Sequence, residues 1–320
     1  MNRILLTAVA GLLLTNAAHA TDARMTALSN NAGFIDDTDI FLYPSVLADL
    51  PAQATLNYDA GAFDGGFALD DGRMLWFQRH EPTGAEEGFR VLYGKAEGET
   101  GYQIRAAQSD GTFSVGGAWS NGPGRGSPQN LAIDGDVRLI NQITGDDLKF
   151  GLNAAITGRN LQPNKLTLWT AGIDVDTNVE TATLFGAYTF GPRFSTDTAR
   201  LALQVGPALN VVAGIGDNNA DPTIAITIPY ANFAGEYQLR EWFRLRGSVT
   251  SSWTGMTDTS DALDNLVWGN VVGGSLGVGF SHDIAQFDMS INPAWALGGP
   301  YLLSGAANPM FGVLSARVRL

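Results

Sequence analysis

The chain has 320 residues, a formal charge of −13, lysine only at positions 95, 149 and 165, and no cysteine. That balance excludes a phosphate-gripping nucleic-acid binder, whose affinity comes from clustered Lys and Arg, and the missing cysteines exclude disulfide staples. After residue 20 no run reaches the roughly 20 apolar residues of a membrane helix, which argues against a helical membrane protein and says nothing against strands that cross a bilayer.

Residues 1–20 read as an export signal: Arg3 supplies the positive start, an apolar run covers 4–14, and Ala18-His19-Ala20 is a small-x-small cleavage site. The mature chain is expected to start near Thr21. Residues 21–52 alternate little. They hold Asp36, Asp37 and Asp39 and an apolar piece, 40–50, interrupted by Pro44. An irregular or short-helical segment ending at Pro51 is the expectation.

From residue 53 onward apolar and polar residues alternate with period two, the pattern of a strand with two different faces. Leu131, Ile133, Val137 and Leu139 interleave with Asp134, Asp136 and Arg138. Trp169, Ile173 and Val175 interleave with Thr170, Asp174 and Asp176, and Phe243, Leu245 and Val249 with Arg244, Arg246 and Thr250. Phe287, Met289 and Ile291 do so with Asp288 and Ser290. Weaker alternation marks 55–60, 64–79, 87–95, 100–109, 111–120, 148–158, 180–190, 199–211, 223–239 and 271–282. The phase slips between Pro229 and Asn232, which predicts a bulge or bend. The last segment, 310–320, sets Leu314, Ala316, Val318 and Leu320 against Ser315, Arg317 and Arg319.

A soluble sandwich alternates too. Three features favour a barrel in lipid. Charges of both signs sit mid-strand, as in a wet lumen. Segments run to about 9–11 residues, the length of a tilted span. Aromatics (Trp119, Tyr188, Phe190, Trp253, Trp295) gather at segment ends, where interfacial girdles form. Counted back from residue 320, connections alternate long and short: 296–309 long, 281–284 short, 254–270 long, 240–241 short, 212–222 long. Further back 191–198 exceeds 177–179, and 121–130 falls among the short turns, which points to a miscounted strand. The segments number 15 or 16 according to whether 64–79 is one strand or a hairpin. The expected fold is all-β: a transmembrane antiparallel β-barrel of about 14 strands (12–16), with 310–320 closing the ring between 285–295 and 53–60.

The residues Ala23-Arg24-Met25-Thr26-Ala27-Leu28, Ala32-Gly33, Asp36-Asp37, Ile40-Phe41 and Tyr43-Pro44-Ser45-Val46-Leu47 resemble the start of the long-chain fatty-acid transporter-like barrels, a superfamily that includes the shuttle barrels of type IX secretion. Tyr43 stands where that pattern has Asn, Ser45 where it has Ala, and Ser29-Asn30-Asn31 where a Gly pair is usual. The resemblance implies a 14-stranded barrel with its N-terminal segment folded into the lumen as a plug. The implied organisation is a signal peptide (1–20), a plug or latch (21–52) and a barrel (53–320).

His80 and His282 read as exposed turn residues, and no Gly-x-Ser-x-Gly or His-Glu-x-x-His pattern occurs. Catalysis, a cofactor and a structural metal are therefore not expected, and the acidic stretches 217–221 and 258–264 read as solvated loops. The residues that point to function face the lumen. Phe41, Leu42 and Tyr43 are candidates to line a pocket for an apolar ligand. Arg105, Arg138, Arg244, Arg246, Arg317, Arg319, Asp174 and Asp288 are candidates to set the field along the pore. Arg317 and Arg319 are expected near Asp288 on one side and Asp59 on the other. The leading reading is a passive bacterial outer-membrane barrel that passes or holds small hydrophobic or amphipathic molecules. A general diffusion porin and a scaffold for envelope proteins are the alternatives. The expected partners are outer-membrane lipid and lipopolysaccharide, the barrel assembly machinery and a small hydrophobic ligand.

Overall fold

The computed structural model describes residues 26, 28, 31, 34, 37–59, 62–80, 88–109, 112–122, 129–140, 149–178, 180–215, 223–256, 267–291 and 311–320. The strands are β1 (Gln53–Asp59), β2 (Ala62–Ala68), β3 (Arg73–His80), β4 (Gly88–Glu97), β5 (Thr100–Ser109), β6 (Thr112–Asn121), β7 (Gln129–Ile140) and β8 (Lys149–Gln162). They continue as β9 (Lys165–Asp176), β10 (Thr181–Ser195), β11 (Ala199–Gly214), β12 (Thr223–Arg240), β13 (Phe243–Met256), β14 (Val267–His282), β15 (Ala285–Ile291) and β16 (Phe311–Arg319). Each pairs antiparallel with its chain neighbours, and β16 closes the ring on β1. The ring leaves no sheet edge, the condition for sheet structure in hydrocarbon.

The alternation in the sequence becomes two faces, and their burial is the inverse of a soluble protein's. Large apolar side chains such as Leu56, Tyr58, Ile104, Val115, Leu184, Val249 and Leu276 are exposed. Asn57, Asp64, Gln103, Thr157, Gln204, Asn210, Asn232 and Asp288, on the opposite face, are buried. A core-packed sandwich hides the first set; a barrel in lipid shows it outward. Aromatics mark two levels of the outer face. Tyr102, Trp119, Phe190, Tyr237 and Trp242 lie toward the end of the ring that carries residues 53 and 320. Phe63, Phe89, Phe113, Trp253 and Trp268 lie toward the other end. Trp295 lies outside the described residues.

The ring has sixteen strands, not about fourteen. The segments counted in the sequence are fifteen with 64–79 as one strand and sixteen with it as a hairpin, and it is a hairpin; the fourteen implied by the resemblance is two too few. The Leu69 N–H donates to the Arg73 carbonyl at 2.8 Å, and Gly72 holds φ at 78°, a left-handed turn position that favours glycine. Only the short polar run from Asp70 to Arg73 interrupts the alternation at this tight turn, which leaves one strand and two both open as readings. The turns 98–99, 163–164, 241–242 and 283–284 lie at the same end as residues 53 and 320, as does the 121–130 connection. The end assignment counted back from residue 320 therefore holds, whereas loop length does not follow it everywhere: 121–130 is a longer link on the short-turn side, and only two residues separate β1 from β2 and β5 from β6 at the other end.

Strand lengths are less uniform than the sequence suggests. β10 to β14 have 15, 16, 18, 14 and 16 residues. Eighteen residues rise to roughly 60 Å along a strand, more than a tilted crossing of a ~30 Å hydrocarbon core requires. The slip predicted at 229–232 is present: the β12–β13 register shifts between Thr227 and Tyr230.

Residues 37–50 form two short 3-10 turns, Asp37–Phe41 and Pro44–Asp49. Pro44 opens the second, where its fixed φ fits and its missing N–H costs nothing. Ile40, Tyr43, Val46, Leu47 and Leu50 are buried with Ala68, Met74, Trp76, Leu92, Ala96 and Ala132. The strand residues of this cluster lie on the face opposite the exposed apolar one, so the segment packs against the inner wall. Gly101 makes the contact close: a Cβ there would collide with the Ser45 nitrogen and the Pro44 oxygen. Upstream, Leu28 and Phe34 are buried with Leu161, Leu166, Ala202 and Ala234. Asn31 Nδ2 donates to the carbonyl of Asn232 at 3.0 Å.

Candidate functional site

The inner wall carries its charge in belts that span three strands at a time. Arg105 on β5 reaches across β6 to Asp134 on β7 with two bonds of 2.5 and 2.6 Å, and touches Asp136 at 3.3 Å. Arg138 on β7 reaches across β8 to Asp174 on β9, with Asp136 at 3.6 Å and Asp176 at 3.8 Å. Arg246 on β13 takes Glu236 on β12 at 2.7 Å and reaches across β14 to Asp288 on β15 at 2.5 Å.

Each crossing passes over a glycine. A Cβ at Gly116 on β6 would lie 3.0 Å from Arg105 Nε and 2.6 Å from the Asp136 Cβ. One at Gly151 on β8 would lie 2.6 Å from Arg138 Nε, and one at Gly279 on β14 would lie 2.6 Å from an Arg246 nitrogen. An arginine side chain is long enough to pass one strand spacing of about 4.8 Å and meet a carboxylate beyond it, provided nothing stands between. Glycine clears the path. The bidentate Arg105–Asp134 fork is the strong geometry for such a pair.

The belts differ in exposure. Arg105 and Arg138 are 16% and 26% exposed, whereas Arg246 is fully covered and Asp288 is 2% exposed. Taking charges out of water is costly, and the geometry must offset it. The Glu236–Arg246–Asp288 triad does so with a carboxylate on each side of the guanidinium.

A fourth arginine ties the N-terminal segment to the wall. Arg159 on β8 donates to Asp39 at 2.7 Å, and its guanidinium lies 4.4 Å from the centroid of the Tyr43 ring. Arg159 is buried. Burial pushes the Tyr43 phenol above its ordinary range, which keeps it neutral over the cation. Gln103 Nε2 donates to the Phe41 carbonyl at 2.6 Å, and the Ser45 N–H donates to Ser120 Oγ at 2.8 Å. The segment is thus held through its backbone as well as its apolar side chains.

The structure brings together most of the residues singled out in sequence. Phe41 and Leu42 pack partly buried against the apolar cluster, and the Phe41 ring meets Trp76 edge-on at 5.2 Å. Tyr43 is buried. Arg105, Arg138, Arg246, Asp174 and Asp288 belong to the belts. Arg244, Arg317 and Arg319 instead line the mouth at the end of the ring bearing residues 53 and 320. Directly across the ladder, the last two meet neither of the carboxylates expected beside them. Arg317 stands opposite Gln286 and Thr55, Arg319 opposite Gln53, and Asp59 opposite Val313. Asp288 faces Ser315 and is held by Arg246 and by Gln286. His282 ends β14, exposed and 3.4 Å from Asp283, as a turn residue should be, and His80 ends β3. The acidic stretches 217–221 and 258–264 lie outside the described residues. No group of residues suited to a metal occurs among the described residues.

Sequence reasoning misses Arg159, because the clear alternation stops at residue 158 while β8 runs to Gln162. Carrying the phase of Asn153, Ala155 and Thr157 forward two residues finds it. It also misses the crossing glycines, which have meaning only once the register is known.

The fold is similar to that of a solved structure described as a bacterial polysaccharide outer membrane secretin, with 9% identity and a TM-score of 0.53. The alignment covers 85% of this chain and 99% of that one. At this identity the likeness is one of fold. It agrees with an outer-membrane type of barrel and does not reach the narrower resemblance to the fatty-acid transporter-like barrels. No family model matches the chain, and no curated protein matches its sequence.

Proposed function

We propose that this chain is a passive outer-membrane channel for small hydrophilic solutes, with residues 21–52 folded inward as a plug that narrows the passage. The observation that carries the reading is the inverted burial of the ring. A girdle of exposed apolar and aromatic residues faces outward, and hydroxyl, amide and charged groups face inward. Sixteen strands give a diameter at which side chains alone no longer fill the interior. The export signal expected in residues 1–20 would direct the chain out of the cytoplasm, as this reading requires. The short turns at the end bearing residues 53 and 320 support a periplasmic placement of that end. The neighbour's description as a polysaccharide outer membrane protein accords with a hydrophilic cargo.

The inner wall is apolar mainly where the N-terminal segment covers it. Among the described residues, the two buried clusters that contain segment residues are filled by the segment's own side chains. This favours a polar solute over a fatty one. A second reading, an amphipathic ligand, is supported by Phe41 and Leu42, which are half-buried beside Trp76 rather than sealed.

The test is solute flux. Liposomes carrying the purified chain are expected to swell in small sugars, at rates that fall steeply as sugar size rises from mono- to trisaccharide. Absence of swelling for both the full chain and a chain lacking residues 21–50, each shown folded by heat-dependent gel mobility, contradicts a channel. Swelling with the shortened chain only supports the plug.

A further inference from the structure

Most large aromatic side chains of the strands point outward; on β10, Tyr188, Phe190 and Phe194 are exposed. Phe185 on the same strand does the opposite. Its chain neighbour Leu184 is 58% exposed on the outer face, which puts Phe185 on the inner wall, half-buried. Directly across the ladder stand Gly172 on β9 and Asn210 on β11. The Phe185 ring leans across β9, and the glycine leaves it room: a Cβ at Gly172 would fall 2.4 Å from Phe185 Cζ and 2.9 Å from Cε2. On β9 and β11 the N-terminal segment packs against Leu166 and Ala202, nearer the end of the ring that carries residues 53 and 320. Phe185 therefore lies beyond these anchor points of the plug.

Asn210 is 2% exposed, and its Oδ1 accepts no hydrogen bond among the described residues. A buried amide oxygen without a donor is costly and uncommon in native structures. The wall around the pair is polar. Thr183 on β10 stands opposite Asp174, and the Thr170 hydroxyl on β9 shares a hydrogen bond of 3.0 Å with Thr157. One aromatic ring thus sits among hydroxyls, an amide oxygen with no donor and a carboxylate.

That combination matches the two unlike surfaces of a sugar ring. A pyranose carries C–H groups on its faces and hydroxyls around its rim. The C–H groups are weakly positive and the face of an aromatic ring is weakly negative, while the hydroxyls are donors as well as acceptors. A fatty chain would meet the ring equally well but would leave the Asn210 oxygen without a donor. We infer that Phe185 and Asn210 form a subsite for a neutral pyranose sugar, with the sugar's C–H face on the Phe185 ring and its rim turned to Asn210, whose Oδ1 takes the donor it lacks. The inference rests on the proposed channel for the sugar's route, but not for the binding itself.

Two measurements separate the subsite from the channel. Saturation-transfer NMR of the detergent-purified full chain with maltotriose is expected to show transfer to the sugar's ring protons that levels off as sugar is added. Phe185→Leu keeps an apolar side chain and removes the aromatic face; it should weaken binding by roughly fivefold, the worth of one aromatic contact, whereas Phe185→Tyr should retain it. Asn210→Ala should weaken binding several-fold without lowering the temperature of the gel-mobility transition, because it removes a buried acceptor that has no partner. A residue that only held the wall together would lower that temperature. No saturable transfer in the unaltered chain, or affinity unchanged in both Phe185→Leu and Asn210→Ala, overturns the subsite. In planar bilayers, maltotriose is expected to reduce the current of the unaltered chain saturably, and to do so only at higher concentration in Phe185→Leu. Sugar binding without any conductance upholds the subsite and removes the channel. Conductance without sugar binding upholds the channel and removes the subsite.

Discussion

Removing residues 21–50 is expected to raise single-channel conductance several-fold and to convert brief openings into steady ones. The reason is where the segment's side chains are. Ile40, Tyr43, Val46, Leu47 and Leu50 are each at most 3% exposed, packed on an inner wall that otherwise presents polar groups. Deleting them opens that volume to water. It also hydrates Met74, Trp76 and Leu92, at a cost of roughly 25 cal/mol for each Å² exposed, so the shortened barrel should unfold at a lower temperature while conducting better. A point change tests the same contact more gently. Asp39→Asn leaves the buried Arg159 guanidinium without its carboxylate, and breaking one side of a buried pair costs about 3–5 kcal/mol. Where that exceeds the segment's remaining hold, it swings free for part of the time, and planar-bilayer recordings should show frequent transitions to the larger conductance. Unaltered conductance in both variants contradicts the plug.

The second large effect is on stability. Arg246→Met is expected to lower the temperature of the gel-mobility transition markedly and to reduce the amount of assembled barrel. The substitution keeps the volume of the stem and removes the charge. Glu236 and Asp288, 8% and 2% exposed at the side chain, are then left as buried carboxylates with no cation between them, again a loss of about 3–5 kcal/mol. Arg73→Gln provides the contrast. Its partner Asp71 also lies close, at 2.5 Å, but the two side chains are 52% and 46% exposed, and such a pair contributes about 0–1 kcal/mol. A transition temperature that falls equally in both variants, or in neither, contradicts a structural role for the triad.

Legibility from sequence follows the range of the interactions. The period-two pattern is local, so the strands, the two faces and the inward arginines can be read from the residues alone. The closing strand is legible for the same reason: Leu314 and Val318 against Ser315 and Arg317 need only their own segment to be read. The slip at Pro229 is equally local. The hairpin inside 64–79 is only half legible: Asp70, Asp71 and Gly72 interrupt the alternation, but so short a break leaves one strand and two both open. Strand ends are the other weak point. The alternation of β8 fades at residue 158, which hides Arg159, the residue that joins wall to segment.

The belts are half legible. Arg105, Asp134, Arg138 and Asp174 can be placed on the inner face, but which arginine meets which carboxylate depends on the register of three strands. Asp288 sits directly across the ladder from Gly279 and Ser315. Arg246, two strands away, reaches it because Gly279 leaves the space between them open. Physical reach, rather than adjacency, decides such pairs, and a glycine on the inner face between an Arg strand and an Asp strand is the signal that marks them.

The proposed channel turns on the position of the N-terminal segment, and one cross-link tests it most directly. Ser45 Oγ and Ser120 Oγ lie 2.9 Å apart, and the chain has no cysteine of its own. A Ser45→Cys/Ser120→Cys variant, exported and mildly oxidised in membranes, is expected to form the disulfide in most molecules. The cross-link should show as faster migration of the fully denatured, non-reduced band. Conductance should stay at its low level and lose its transitions to larger openings, which return when the bond is reduced. Failure to cross-link in a folded barrel would contradict the placement of the segment against β6, and a cross-linked barrel that conducts like the chain lacking residues 21–50 would contradict its role as a plug.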